Sequence, residues 1–521
     1  MTMHGLLLWL SRASGVATGE DDARYLLLSR ALKQGTYREL WTPGQPPHHM
    51  YPPGFPALVA VWTAIGGERF DWLIGLQVVL SVATLVLMFS TVRRWMPAPV
   101  VLGALIVAAV SPDLLKWAEV VFSEPALTFC VALVVWAAIA LPPSRRRTAI
   151  ITLAAIAAPF LRAEGFVVPV AVIAELLWRR RIRAAVIASA AFAVIGGPLL
   201  WWMLNDPARV VGESYVADFT QKTQNAPFVV GIFKRVVTNA LYYPDYALTR
   251  LLSVPIVSSS HLAVAVAAII VAGCLTVGAA YSFRRAPLAV MILVVLSGLL
   301  LIWPYHVDRF LVPFLPVLIL LYLFGLYSVG SLFDRRFAAG LVVAATAFTV
   351  VLHLPAEMAD VSARLRCEPV PLFADPSCAP ADARSFLKGV RFVVDSLPPH
   401  VRMLAAMPAP VFLHTGRQAV GTLTLRGLDS ARFWQRLRQR GVDYVLLTHH
   451  PAEQVVTPIL MTRCATGLHL LATFAPDAYL FRIVPERSPS SDSLVFAPQP
   501  PGDGPACAAL KLYGRAGFAG H

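Results

Sequence analysis

Apolar runs separated by short polar breaks dominate the chain. The runs fall at about 71–92, 98–117, 122–141, 148–160, 165–178, 184–204, 262–283, 287–303, 310–332 and 337–355. A helix crosses the hydrocarbon core in about 20 residues. Each run meets or approaches that length, with 148–160 and 165–178 the shortest. Every second break carries an arginine cluster: Arg93-Arg94, Arg145-Arg146-Arg147, Arg179-Arg180-Arg181 with Arg183, Arg284-Arg285 and Arg335-Arg336. Positive charge marks cytoplasmic loops. Reading the clusters as inside places 19–70, 118–124, 161–165, 205–260, 304–309 and everything after 356 outside, and no loop conflicts with that assignment. The pattern predicts an α-helical polytopic membrane protein of about 10–11 transmembrane helices.

Two short apolar segments are read differently. Phe55–Ile65 is too short to span, and counting it as a crossing would put Arg93-Arg94 on the wrong side. It is expected to lie in the interface as a helix started by Pro52-Pro53-Gly54. Before Arg12 only His4–Leu10 is apolar, so the first crossing is expected to be incomplete or to begin upstream.

After residue 356 Pro, Asp and Arg return and short alternating stretches appear. They predict a helix near Asp382–Leu397, a strand near Val401–Ala406, a helix near Ser430–Gln439, and strands at Tyr444–Leu447 and Ala478–Ile483. The expected organisation is a membrane domain over 1–356, with a first outer loop at 19–70, an outer α/β domain over 357–487, and a Pro/Gly/Ser-rich tail over 488–521. No internal repeat is visible.

Composition supports this picture. The 521 residues are 57% hydrophobic and only 14% charged, which excludes an ordinary soluble domain. The net charge of +14 resides in the clusters between apolar runs. It therefore points to membrane lipid as a partner and not to nucleic acid. Cys130 and Cys274 fall in predicted membrane helices, as small buried apolar residues do. Cys367, Cys378, Cys464 and Cys507 fall in the outer domain, an even number compatible with two disulfides, expected as Cys367 with Cys378 and Cys464 with Cys507 among the possible pairings. No Cys/His spacing suggests zinc.

The candidate chemistry lies at the outer breaks. Gly19-Glu20-Asp21-Asp22-Ala23-Arg24-Tyr25 places three acids in a row at the foot of a short helix. Acids at a helix start complement its dipole, but beside a membrane they are costly unless used. Glu119, Glu124, Arg162, Glu164, His306, Asp308 and Arg309 come from other outer breaks at the same predicted depth. Acids there are suited to activate a hydroxyl as general base, and Arg and His to hold a phosphate. There is no GxxxxGK[ST], no dinucleotide fingerprint, no GxSxG and no HExxH. A phosphorylated lipid entering from the bilayer is the substrate class that fits.

The ordered motifs resemble those of GT-C-fold glycosyltransferases that use polyprenyl-phosphate sugars, the group with the protein O-mannosyltransferases and the aminoarabinose lipid A transferases. Asp21-Asp22-Ala23-Arg24-Tyr25 is similar to the Asp-Glu-x-x-Tyr start of that family's first outer loop, with Asp22 in place of Glu. Gly35-Thr36-Tyr37 and Tyr51-Pro52-Pro53-Gly54-Phe55-Pro56 match the rest of the loop, and Ser123-Glu124-Pro125 falls where the family has an acid in its second. Arg162-Ala163-Glu164-Gly165 and Arg309–Pro316 resemble later landmarks. His414-Thr415-Gly416-Arg417 and Asp443–Leu447 resemble the soluble part of bacterial relatives.

The resemblance implies a GT-C fold and a single inverting displacement. Asp21, Asp22 and Glu124 are the implied catalytic residues, with Asp21 as base. Arg24, Arg162, His306 and Arg309 are implied to bind the donor phosphate, and Tyr25, Tyr51 and Glu164 to shape the acceptor side. No cofactor is implied; some GT-C enzymes need a divalent metal and this subgroup generally does not. The implied partners are a polyprenyl-phosphate sugar donor and a glycolipid, glycan or protein acceptor, in a bacterial plasma (inner) membrane with the C-terminal domain extracytoplasmic. Alternatives are a lipid-linked sugar transporter or flippase, which would place charges at midmembrane and show paired repeats, and a non-catalytic envelope assembly protein.

Overall fold

Residues with helical propensity and no interior polar demand fold here as the sequence pattern dictates, and prolines set most of the breaks. The computed structural model describes residues 2–12, 20–205, 214–221, 228–244, 261–304, 306, 308–365, 381–448, 450–474, 478–484 and 504–515. The chain divides into two compact units.

The first unit comprises Met1–Ala13, His49–Asp206 and Asp218–Arg366. Its helices follow the apolar runs: Phe70–Val92, Ala98–Ala109, Glu124–Ala140, Arg145–Leu161, Val167–Trp178, Ile182–Leu204, His261–Phe283, Pro287–Ile302, Leu315–Gly330 and Arg335–Leu365. Phe70–Val92, Ile182–Leu204, Leu262–Phe283, Asp308–Gly330 and Arg335–Leu365 are each long and apolar enough to cross a membrane. The run at 98–117 breaks at Ser111, where Pro112 opens the short helix Pro112–Lys116. The run from 310 begins as the 3-10 helix Asp308–Phe314, because Pro313 and Pro316 withhold two backbone donors.

Leu315–Gly330 is the enclosed centre of this unit. Leu315, Ile319 and Leu323 pack into one core with Val100 and Ala104, Leu127 and Val131, and Ile292 and Leu296 from neighbouring helices. Ile182–Leu204 instead exposes Val186, Ile187, Val194 and Trp201, as a helix at a lipid boundary does. His261–Phe283 meets Leu315–Gly330 at a crossing that only glycine permits. A Cβ on Gly278 would lie 1.9 Å from the Leu321 carbonyl oxygen, and one on Gly325 would lie 1.8 Å from that of Cys274.

The expected interfacial segment is the helix Gly54–Gly66. It stops at Gly67, whose φ of 77° suits glycine. Trp62 and Trp72 stack at 4.7 Å and each donates its indole N–H to the other's carbonyl, which fixes the corner into Phe70–Val92.

The second unit comprises Ser14–His48, Pro207–Ala217 and Cys367–His521. Residues 14–48 thus group with the C-terminal domain, whereas the sequence pattern assigned the whole loop 19–70 to the membrane domain. The sheet has five strands in the order β2-β1-β3-β5-β4: β1 Met403–Ala405, β2 Ala419–Gly421, β3 Tyr444–Leu447, β4 Leu468–Phe474 and β5 Ala478–Ile483. β1 runs parallel to β2 and β3, and β5 antiparallel to β3 and β4. The helix Ser430–Gln439 and strands β3 and β5 fall where expected; β2 and β4 were not anticipated. The β2 edge is covered by the first loop, since Ala419 N–H donates to the Trp41 carbonyl at 2.8 Å.

The segment read as a tail contains the helix Pro505–Arg515. Its Ala506, Ala509, Leu510 and Tyr513 are buried in one core with Phe433, Trp434 and Phe481. A disulfide joins Cys464 to Cys507, with Cα atoms 4.9 Å apart. Cys367 and Cys378 lie outside the described residues.

Candidate active site

In the first unit, Ser123 and Glu124 open the helix Glu124–Ala140, a position where an acid complements the helix dipole. Glu124 is completely buried, so dipole compensation alone does not account for it. Its Oε1 accepts from Arg162 Nη1 at 2.8 Å and from Arg309 Nε. Arg162 follows the end of Arg145–Leu161, donates Nε to Glu164 and Nη1 to the Ser123 hydroxyl at 3.0 Å. Two acids and two arginines from three separated chain segments therefore balance in charge. Burying such a cluster carries a desolvation penalty that good geometry only roughly offsets.

Local sequence explains how the cluster forms. Gly165 lets the 3-10 turn Ala163–Phe166 close against the preceding helix, because a Cβ there would lie 2.1 Å from the Ala158 carbonyl oxygen. Gly54 presses on the same corner, with a Cβ position 2.5 Å from the Phe160 carbonyl oxygen. The Tyr51–Pro56 motif and the Arg162–Gly165 motif thus both pack against the end of Arg145–Leu161, and Tyr51 is buried. The Arg309 guanidinium lies over the rings of Trp117 and Phe122 at 4.5 and 4.6 Å. The Arg309 side chain is 19% exposed against 8% for Arg162, so Arg309 is the arginine that reaches outward. The partly open space beside Glu124 measures about 20 Å³, room for one water.

His306 is exposed and stacks on the ring of Tyr242 at 4.0 Å. It joins none of the ion pairs of the Glu124 cluster described above.

Asp21, Asp22, Arg24 and Tyr25 lie in the second unit, on the helix Glu20–Lys33. Asp21 is partly exposed, while Asp22, Arg24 and Tyr25 are buried. Arg24 Nη2 and Nε donate to Glu20 Oε1 at 2.5 and 3.1 Å, and its guanidinium lies 5.9 Å above Trp41. Burial raises the Glu20 carboxyl above its ordinary range, Arg24 opposes that, and Asp21 adds a smaller like-charge push upward.

The loop that follows holds a pair the sequence reading missed. Glu39 meets the His48 ring at 3.1 Å and accepts the Thr42 hydroxyl at 2.9 Å. Burial would push Glu39 up, but the His48 hydrogen bond, the charges of His48 and Arg24, and the Thr42 bond together bring it below its ordinary range. Tyr37 and Trp41 meet the His48 ring edge-on. A carboxylate nine residues before a histidine has no helical or strand period to betray it. Among the described residues, no group of three or more His, Cys, Asp or Glu side chains is placed to hold a metal ion.

No family model matches the chain, and no curated protein matches it at a significant level. Solved structures do match. ArnT from Cupriavidus metallidurans in the apo state is similar with a TM-score of 0.54 at 12% identity, over 92% of this chain and 96% of that one. The same protein bound to undecaprenyl phosphate is similar with a TM-score of 0.52 at 14% identity, over the same shares. At that identity the likeness concerns the fold: this chain has the GT-C fold.

Proposed function

We propose that the chain is a membrane glycosyltransferase that moves a sugar from a polyprenyl-phosphate donor to an extracytoplasmic acceptor by a single inverting displacement. The observation that carries this reading is the buried Glu124–Arg162–Glu164–Arg309 cluster, built at the ends of separate helices within a GT-C fold. The similar protein solved with undecaprenyl phosphate supports the donor class. The arginine clusters support an outward-facing site in a bacterial plasma membrane, with 357–487 outside.

Asp21, the most exposed of the Asp21/Asp22 pair, acts as general base and takes the proton of an acceptor hydroxyl or amine. The acceptor atom bonds to the anomeric carbon as the bond from that carbon to the phosphate oxygen breaks. Polyprenyl phosphate leaves as an anion and needs positive charge, not a proton. Arg309 is the principal phosphate ligand, aided by Arg24 and His306. Arg162, engaged by Glu124, Glu164 and Ser123, chiefly holds the cluster in place. Asp22 and Glu124 support the base and the arginines, while Tyr25, Tyr51 and Glu164 shape the acceptor side. The acceptor class is a glycolipid, a glycan or a protein.

Transfer of labelled sugar by the protein in proteoliposomes tests the assignment. Asp21→Asn should lower kcat by roughly 100- to 10,000-fold with donor binding kept, and Arg309→Ala should raise the donor KM. Near wild-type turnover by Asp21→Asn would place the base elsewhere.

A further inference from the structure

The helix Phe228–Tyr242 falls in the long outer break 205–260, and the chemistry above assigns it nothing. Val229, Phe233, Val237 and Leu241 form an exposed apolar stripe along it, the spacing of a helix laid against lipid. Its other side carries the polar groups Asn239 and Tyr242. The Asn239 amide, buried, donates to the carbonyls of Leu300 (2.9 Å), Leu301 (3.1 Å) and Trp303 (2.9 Å). These sit at the end of Pro287–Ile302, where the last carbonyls lack partners within the helix. One side chain thus anchors the amphipathic helix to the start of the segment that carries His306, Asp308 and Arg309.

Tyr242, three residues on and on the same face, touches that segment twice. Its ring lies flat on the His306 imidazole, 4.0 Å between centroids and 8° between planes. Its hydroxyl donates to Asp308 Oδ1 at 2.8 Å. Asp308 adjoins Arg309 in the chain, and a carboxylate free to turn beside a guanidinium competes for it with any anionic ligand.

We propose that Tyr242 is a positioning residue for the donor phosphate. Its hydroxyl keeps Asp308 turned toward Phe228–Tyr242 and its ring aligns His306. The segment therefore offers an anionic headgroup imidazole and guanidinium donors instead of a carboxylate. The inference rests on the reading that Arg309 binds the donor phosphate.

The test is the affinity of the full-length protein in nanodiscs for undecaprenyl phosphate without sugar. Tyr242→Phe, which keeps the stack and loses the hydroxyl, should weaken binding roughly 10- to 30-fold, the lower range for a hydrogen bond to a charged group. Asp308→Asn should bind as tightly as wild type or tighter. The double variant should lie within about twofold of Asp308→Asn, since no carboxylate is left to restrain. A purely structural role would not produce that rescue. Unchanged binding by Tyr242→Phe, or an equal loss in both backgrounds, overturns the proposal. Asp308→Glu repeats the test with the tyrosine intact. Its longer carboxylate should reach Arg309 and weaken binding, and unchanged binding counts against the competition. If wild type and Arg309→Ala both fail to bind, the donor-site reading itself falls; if only Arg309→Ala fails and Tyr242→Phe binds normally, the inference alone falls.

Discussion

Replacing Glu124 by glutamine removes a negative charge from a place where neither it nor Arg162 can turn to water. Glu124 is wholly buried and Arg162 is 7% exposed. Truncating one partner of a buried pair typically destabilises by about 3–5 kcal/mol. Two features of this site reduce that figure. Glutamine keeps an acceptor oxygen for Arg162 Nη1 at the 2.8 Å contact, and Arg162 keeps its bond to Glu164. The expected loss is therefore about 2–3 kcal/mol. Adding Arg162→Met to Glu124→Gln should cost less than the two changes taken singly, with a coupling of at least about 1 kcal/mol. Thermal unfolding and SDS titration in mixed micelles measure both quantities. A Glu124→Gln variant within about 0.5 kcal/mol of wild type, additive with Arg162→Met, would refute the reasoning.

Three further outcomes follow from the same structure. Gly325→Val should abolish the close crossing of His261–Phe283 and Leu315–Gly330, since the first added carbon already meets the Cys274 carbonyl oxygen at 1.8 Å; folded yield in membranes reports it, and normal yield contradicts that contact. Cys464→Ala with Cys507→Ala should destabilise the C-terminal domain by roughly 2–4 kcal/mol, read as a lowered Tm of its transition, and free thiols at Cys464 and Cys507 in non-reducing peptide mapping would deny the bridge. Burial lifts Glu453 from 4.5 to about 7 and lowers His414 from 6.5 to about 4. A raised carboxyl stabilises fully below pH 4.5 and loses that contribution as pH rises to 7, while a depressed histidine loses its contribution as pH falls from 6.5 to 4. Each spans about 3 kcal/mol, so the two slopes oppose. Glu453→Gln should leave stability rising with pH, His414→Gln should leave it falling, and parallel slopes in the two variants would disprove the assignment.

The membrane helices were legible because bilayer spanning demands long apolar runs and because arginine punctuates every second break between them. The acids and bases at the other breaks were legible for the same reason: charge at helix ends stands out in an apolar chain. Their pairing was not. Glu124 and Arg309 are 185 positions apart, and nothing local to Arg162 shows that it serves Glu124 instead of a ligand. β2 has three residues, too few for a period, and β4 exposes alternate positions in a stretch broken by a bulge at Leu470 and Ala472. The helix Pro505–Arg515 was hidden by the Pro/Gly-rich composition around it, although its buried Ala506, Ala509, Leu510 and Tyr513 follow helical spacing. Phe228–Tyr242 carried a readable signal in Val229, Phe233, Val237 and Leu241; its polar anchor, Asn239, had none.

The most direct measurement is the fate of a doubly labelled polyprenyl-phosphate sugar in proteoliposomes holding the protein and a membrane extract as acceptor source. The account predicts that free polyprenyl phosphate appears in step with labelled sugar on the acceptor, and that Asp21→Asn slows both by roughly 100- to 10,000-fold. Labelled donor that crosses the bilayer intact, or stays uncleaved beside an active extract, would contradict a transferase and favour movement of the lipid itself.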